Sequence, residues 1–169
     1  MKIAVITASD RSAKGERADK SGALLVSLLE EWRAPLIHYQ VLPDDREELR
    51  ETMKRLCDEM TYDVVLTTGG TGLGPRDCTP EATREVIEKE MPGIAEAIRQ
   101  GSLEKTPFAM LSRALAGVRG QTLIVNLPGS PEAVKDAFEV LKPVLAHAVE
   151  LIQGKVKDCH SSLSLPLHS

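Results

Sequence analysis

Residues 67–83 read Thr-Thr-Gly-Gly-Thr-Gly-Leu-Gly-Pro-Arg-Asp-Cys-Thr-Pro-Glu-Ala-Thr, a strand end, a glycine-rich loop and a helix start in series. It begins where an apolar run, Tyr62-Asp63-Val64-Val65-Leu66, reads as a buried strand continuing to Thr67. It ends at Thr79-Pro80-Glu81, where Thr79 suits a helix N-cap and Pro80 the first helical position. Between strand and helix lie Gly69, Gly70, Gly72 and Gly74. Glycine removes the Cβ, so backbone N–H groups can approach and surround an oxyanion. A strand, a glycine-rich loop and a helix N-terminus in series make a phosphate site. Asp77 adds a hard oxygen ligand that could hold Mg²⁺ against such a phosphate. Two familiar motifs are excluded. Gly69 to Gly74 has P-loop spacing, but Pro75-Arg76 stands where Lys-Ser/Thr is required, and no choice of first glycine gives the dinucleotide fingerprint. The plain alternative is a tight strand-to-helix turn with no ligand.

The rest of the chain alternates in the same way. Lys2 to Ala8 is a β-branched run suited to a strand buried on both faces, and Ser9-Asp10-Arg11-Ser12 follows at its carboxyl end. A polar loop to Lys20 leads to a helix over 21–32, with Leu24, Leu25, Leu28, Leu29 and Trp32 on its core face. Ala34 or Pro35 breaks it, and Leu36 to Leu42 reads as a second strand. Asp44 or Asp45 then caps a helix carrying Leu49, Met53, Leu56 and Met60. Capping is the ordinary role for Asp44. Its place at a strand end, on the same sheet edge as Asp77, makes a two-carboxylate metal site the other reading.

Past the glycine loop, the pattern predicts a helix over 80–90, a break at Met91-Pro92-Gly93 and a further short helix over 94–103. Phe108 to Gly117 is open between helix and strand, with Ser112 and Arg113 as its polar exceptions, and residues 117–121 read as a turn. Thr122 to Leu127 reads as a central strand whose conspicuous polar residue is Asn126. Pro128-Gly129-Ser130-Pro131 begins a last helix capped by Ser130, which Pro143 should kink or split. Strands alternating with helices predict an α/β fold: a mostly parallel central sheet in a three-layer α/β/α arrangement. Right-handed crossovers would bring Ser9, Asp10, Asp44, the 68–79 loop and the 126–130 turn to one carboxyl edge.

Composition narrows the function. Aromatics at 3% and a formal net charge of -4 argue against nucleic-acid binding, which favours stacking rings and a basic face. No apolar run approaches the ~20 residues of a membrane helix, and Ile3 to Ile6 is too short for a signal peptide. Cys57, Cys78 and Cys159 are odd in number and show no C-x-x-C pairing, which suits free thiols in a reducing cytoplasm. The four histidines make no zinc pattern.

Four segments together carry a family resemblance: Ser9-Asp10-Arg11, the loop at 69–83, Met91-Pro92-Gly93 and PFAMLSRALAGVRGQTLIVNLPGSP at 107–131. In that order and spacing they resemble the MogA/MoaB family of molybdenum-cofactor proteins, and most closely its molybdopterin adenylyltransferase branch, which includes the G domain of gephyrin. The likeness spans residues 1–155 as one domain and leaves 156–169 as a tail. It implies a homotrimer that adenylates molybdopterin with Mg²⁺-ATP, ahead of a molybdenum-insertion enzyme. It also implies Asp77 and Asp44 as the catalytic and metal-holding carboxylates. Ser9, Asp10, Thr68, Gly69, Gly70, Thr71, Gly72, Thr79, Ser112, Arg113, Asn126, Pro128, Gly129 and Ser130 would lie around the substrates. Three alternatives stand beside it: a MoaB-type paralogue of weak activity, a CinA-like nucleotide enzyme and a non-enzymatic scaffold.

Overall fold

A β-branched run makes β1 (Lys2–Ala8), and a mixed apolar and polar stretch makes β2 (Leu36–Leu42), in the computed structural model, which describes residues 1–34 and 36–156. Pro35 and the tail beyond 156, with Cys159 and His160, lie outside the described residues. β1 pairs in parallel with β2 and with β3 (Val64–Thr68), and β3 with β6 (Thr122–Leu127). Beyond β6 the sheet turns antiparallel through β5 (Ala116–Arg119) and β4 (Lys89–Glu90), giving the order β2-β1-β3-β6-β5-β4. The crossovers are α2 (Lys20–Glu31), after the single turn α1 (Asp10–Ala13), and α3 (Arg46–Asp58). Then come α4 (Thr79–Arg84), α5 (Pro92–Leu103) and the long α6 (Pro131–Ile152).

Strand pleating sets the layers, because alternate residues face opposite sides of the sheet. Ile3, Val5, Leu66, Leu123 and Val125 pack one way with Leu25 and Leu29 of α2, Ile98 of α5 and Phe138 and Leu141 of α6. Ala4, Ile6, Val65 and Ile124 pack the other way with Leu49, Met53 and Leu56 of α3 and Ala82 of α4. Both faces of β1, β3 and β6 are thereby buried, as their apolar runs require, while β2 at the sheet edge is partly covered and leaves Tyr39 exposed.

The expected architecture holds, with local differences. The third strand is Val64–Thr68 rather than 62–67. The backbone N–H of Asp63 instead donates to Lys2 O at 2.9 Å, and the Asp63 carboxylate accepts from Lys2 N at 2.5 Å, fixing the entry to the sheet. The expected helix over 80–90 stops at Arg84. Its continuation is drawn onto the sheet edge, where Glu88 N donates to Val118 O at 2.8 Å and Lys89–Glu90 pairs with β5. Pro92 opens α5, two residues ahead of the expected start at 94, and residues 117–119, read as part of a turn, belong to the strand β5. Pro143 does not split α6. Pro143 and Glu139, whose carbonyl loses its partner, both face solvent, while Leu141 and Leu145 on either side are 1% and 0% exposed. Packing across the proline outweighs one missing hydrogen bond.

Candidate active site

Four strand ends meet on one edge of this sheet. After β1 the chain passes to α2 and β2 on one side, and after β2 it returns to β3 on the other, so the switch point lies between β1 and β3. Ser9 and Asp10 follow β1, Asp44 follows β2, the glycine loop follows β3, and Pro128-Gly129-Ser130 follows β6. A cavity of about 430 Å³ opens there, between the glycine loop, the end of β6, α5 and the 3₁₀ turn at Pro107–Leu111. Its polar lining includes Thr71, Asp77, Arg99, Ser102, Ser112 and Ser130, and its apolar lining Ile98, Phe108 and Leu111.

The loop presents its amides to this space because its carbonyls are tied down behind it. Thr79 Oγ1 donates to Gly69 O at 2.9 Å, and Thr79 N donates to Gly70 O at 3.1 Å. Arg113 N donates to Thr71 O at 2.9 Å, and Arg113 Nε donates to Gly72 O at 2.7 Å. In a trans peptide the N–H points opposite to the C=O of the preceding residue. Anchoring these four carbonyls therefore turns the N–H groups of Gly70, Thr71, Gly72 and Leu73 to the other side. Among the described residues, none of those N–H groups has an acceptor within the chain. A run of unsatisfied donors against a cavity is the arrangement that binds phosphate oxygens.

Carboxylates flank the run. Asp77 lines the cavity, its Oδ2 accepts from Gly74 N at 3.0 Å, and it enters no ion pair among the described residues. Asp44 and Asp10 hold one another reciprocally. Asp10 N donates to Asp44 Oδ2 at 2.9 Å, and Asp44 N donates to Asp10 Oδ1 at 3.1 Å. Arg76 grips Asp10 with two hydrogen bonds of 3.0 and 3.1 Å, which holds the Asp10 carboxyl below its ordinary range. Asp44 goes the other way. Burial, with the charges of Asp10 and Asp77 adding to it, raises its pKa against the Asp10 N–H and the Arg76 charge. Its Oδ1 is buried and lacks a hydrogen-bond partner among the described residues. The acid is not the cap of α3, a part taken by Asp45, whose carboxylate accepts from Glu48 N at 2.8 Å.

A raised carboxyl pKa gives the sign of a pH effect. Below the ordinary value of 3.8 this group takes no stability from the ligand-free fold, and stability falls as pH rises through the raised folded value. Asp44→Asn is therefore expected to raise the Tm of the free protein at pH 7, with the gain vanishing in acid. A melting series from pH 3 to 8 checks this, and a gain that grew towards acid would contradict it.

The other sequence-predicted residues divide by where the structure puts them. Thr71, Gly72, Ser112, Pro128, Gly129 and Ser130 line the cavity with Gly70 and Asp77. The hydroxyls of Ser112 and Ser130 accept from Ala114 N and Ala133 N, each at 3.3 Å, and keep their protons for a ligand. Ser9 and Gly69 line a smaller cavity of about 80 Å³ beside it. Thr68, Thr79, Arg113 and Asn126 are brought to the loop but face away from the main cavity. Thr68 Oγ1 donates to Pro128 O at 2.6 Å and ties two strand ends together. Thr79 is the first residue of α4 rather than its cap, since Cys78 takes that place without a side-chain bond. Asn126, 1% exposed, donates through Nδ2 to Thr67 Oγ1 and Thr83 Oγ1, both at 2.9 Å, and its Oδ1 accepts from Leu115 N at 3.3 Å. Removing it takes a hydrogen bond from three buried groups and leaves the Leu115 N–H and Thr67 Oγ1 without that partner, so Asn126→Ala should cost about 2–4 kcal/mol, read by urea unfolding. A loss under about 0.5 kcal/mol would contradict this role.

The model of the probable molybdopterin binding domain matches residues 4–147. The chain belongs to the MogA/MoaB family of molybdopterin-binding domains. The molybdopterin adenylyltransferase of Helicobacter pylori strain J99 is 43% identical over 154 residues, covering 90% of this chain and 88% of that protein. The molybdopterin biosynthesis enzyme MoaB of Thermus thermophilus superposes with a TM-score of 0.83 at 43% identity, covering 90% of this chain and 96% of that one. The molybdopterin biosynthesis Mog protein of Mycobacterium ulcerans gives 0.85 at 40%, covering 89% and 98%. Among the described residues no three potential metal-ligating side chains cluster, and no helix is long and apolar enough to cross a membrane. Within this family fold Asp77 and Asp44 stand on either side of the loop amides. An ideal Cβ on Gly72 would lie 2.9 Å from Asp77 Oδ2, and one on Gly70 would lie 2.9 Å from Asp44 Oδ1.

Proposed function

We propose that the protein is a molybdopterin adenylyltransferase, which transfers AMP from Mg²⁺-ATP to molybdopterin and releases pyrophosphate. The observation that carries this reading is the row of unpartnered loop amides beside Asp77, in a chain 43% identical to an enzyme of that name. A terminal phosphate oxygen of molybdopterin attacks the α-phosphorus of ATP. The bond to the bridging oxygen of the β-phosphate breaks, and its electron pair leaves on pyrophosphate. Such a transfer asks for alignment and charge neutralisation and needs no covalent nucleophile from the protein. The amides of Gly70 to Leu73 would hold the phosphate oxygens, with the Ser112 and Ser130 hydroxyls donating across the cavity.

Mg²⁺ fits the donors present. It is usually held by one or two carboxylates together with substrate phosphates and water, which matches two acids and no larger cluster among the described residues. The buried, unpartnered Asp44 Oδ1 is an acceptor in want of a cation or donor. Asp77 and Asp44 would hold the ion, and when bound it neutralises phosphate charge. The enzyme then works in the cytoplasm as a homotrimer, upstream of a molybdenum-insertion enzyme. Leu73, Phe108 and Met110, at 67%, 75% and 65% exposure, offer apolar surface for subunit contacts.

Both acids and the full loop favour an active enzyme over a weak MoaB-type paralogue. Thr71 stands where the CinA motif has leucine, which disfavours the CinA-like reading. Incubation with molybdopterin, ATP and Mg²⁺ tests the proposal. Adenylated molybdopterin and pyrophosphate in equal amounts are expected. Binding of both substrates without product would point to the paralogue.

A further inference from the structure

We infer that Arg113 is a positioning residue that keeps the loop amides and the Asp77 main chain aimed at the cavity, and that it does not bind substrate. The inference rests on the reading that this loop holds a nucleotide's phosphates. One side chain reaches three separate points of the loop and its helix. Nε donates to Gly72 O at 2.7 Å, Nη2 donates to Asp77 O at 2.9 Å, and Nη1 pairs with the Glu81 carboxylate. The main-chain N–H of the same residue donates to Thr71 O. Among the described residues the stretch between Gly72 and Asp77 is otherwise tied by Arg76, whose guanidinium bonds the Asp10 carboxylate, and by two internal bonds. Its own cross-links are Asp77 N to Gly74 O, and Gly74 N to the Asp77 carboxylate, each at 3.0 Å.

Geometry gives each bond a consequence. Capture of Gly72 O turns the Leu73 N–H outward, because the two belong to one planar peptide. Capture of Asp77 O fixes the peptide plane from which the Asp77 side chain departs. Arg113 is absent from the cavity wall, on which Asp77 and Gly72 both stand. Its guanidinium therefore acts on a ligand through the loop, from behind it. The planar fork is what the task needs. A lysine ammonium at this position keeps the charge and the contact with Glu81, but it cannot meet two carbonyls and a carboxylate in fixed directions.

The test compares wild type with Arg113→Lys and Arg113→Ala. If the loop is misaimed, kcat for adenylylation falls about 100-fold in Arg113→Lys, the order expected for small misplacements of reacting groups. The KM for ATP stays within about threefold, since the amides of Gly70, Thr71 and Gly72 keep their anchors. A direct phosphate ligand would show the reverse split, with KM rising tenfold or more at unchanged kcat, and that result would overturn the inference. So would kcat within about threefold of wild type in the lysine variant. A general fold defect would lower kcat in proportion to the unfolded fraction, which melting curves of both variants measure directly.

A second readout needs no turnover. In the free protein, hydrogen exchange at the Gly74 and Asp77 amides should quicken at least tenfold in Arg113→Lys, while amides of β1 keep their rates. Unchanged exchange at both positions would contradict the positioning role. If wild type itself makes no adenylated product, the activity reading fails, and this exchange comparison still decides the role of Arg113.

Discussion

Asp77→Asn lowers the adenylylation rate by about 10³-fold and leaves the fold intact, if the loop carboxylate acts as proposed. The substitution is close to isosteric. The amide oxygen can still accept from Gly74 N, the one hydrogen bond that the Asp77 side chain makes among the described residues. No ion pair is lost, because Asp77 has none among the described residues. What disappears is one negative charge at the cavity wall. Melting temperature should therefore move little, while the Mg²⁺ concentration needed for half-maximal rate rises steeply. Stopped assays across a Mg²⁺ series, run beside melting curves, check both. Turnover equal to wild type at low Mg²⁺ would refute the assignment of Asp77 to the metal.

Gly70→Val has the second large effect, at least about 100-fold weaker ATP binding, which corresponds to about 2.7 kcal/mol. Gly70 has φ +62°, and a Cβ there would meet Thr79 Oγ1 at 2.4 Å and Asp44 Oδ1 at 2.9 Å. The side chain would push on the hydroxyl that anchors Gly69 O and on the half-buried acid that would help to hold Mg²⁺. A β-branched residue at positive φ also strains the backbone by about 1–3 kcal/mol, so stability falls as well. Gly120→Ala separates the two effects. Gly120 has φ +55° and nothing within 4 Å of a Cβ, so that variant loses some stability and binds ATP normally. Calorimetric titration with ATP checks the pair. Undiminished affinity in Gly70→Val would remove the cradle from the account.

The parallel strands were legible because burial on both faces demands unbroken apolar runs, and Lys2–Ala8 and Thr122–Leu127 show them plainly. The antiparallel edge was not. Lys89–Glu90 is two exposed charged residues, and Ala116-Gly117-Val118-Arg119 is short and carries no alternation. Gly117 makes room for Ile87, 2.6 Å from where its Cβ would be, a contact no local pattern announces. The loop itself read correctly as strand, glycines and helix start. The roles of Thr79 and Arg113 did not, because what they do is donate to the loop's carbonyls from behind. Arg113 lies 41 residues from Gly72, and no spacing rule connects them. Asn126 looked like a polar residue at a site and is a buried bridge between Thr67, Thr83 and Leu115.

A crystal of the protein soaked with Mg²⁺ and a non-hydrolysable ATP analogue tests the central claim most directly. Phosphate oxygens are expected within hydrogen-bond reach of the Gly70, Thr71 and Gly72 amides, with the metal on the Asp77 carboxylate. Triphosphate density lying away from that turn, with Asp77 still bonded only to Gly74 N, would contradict it.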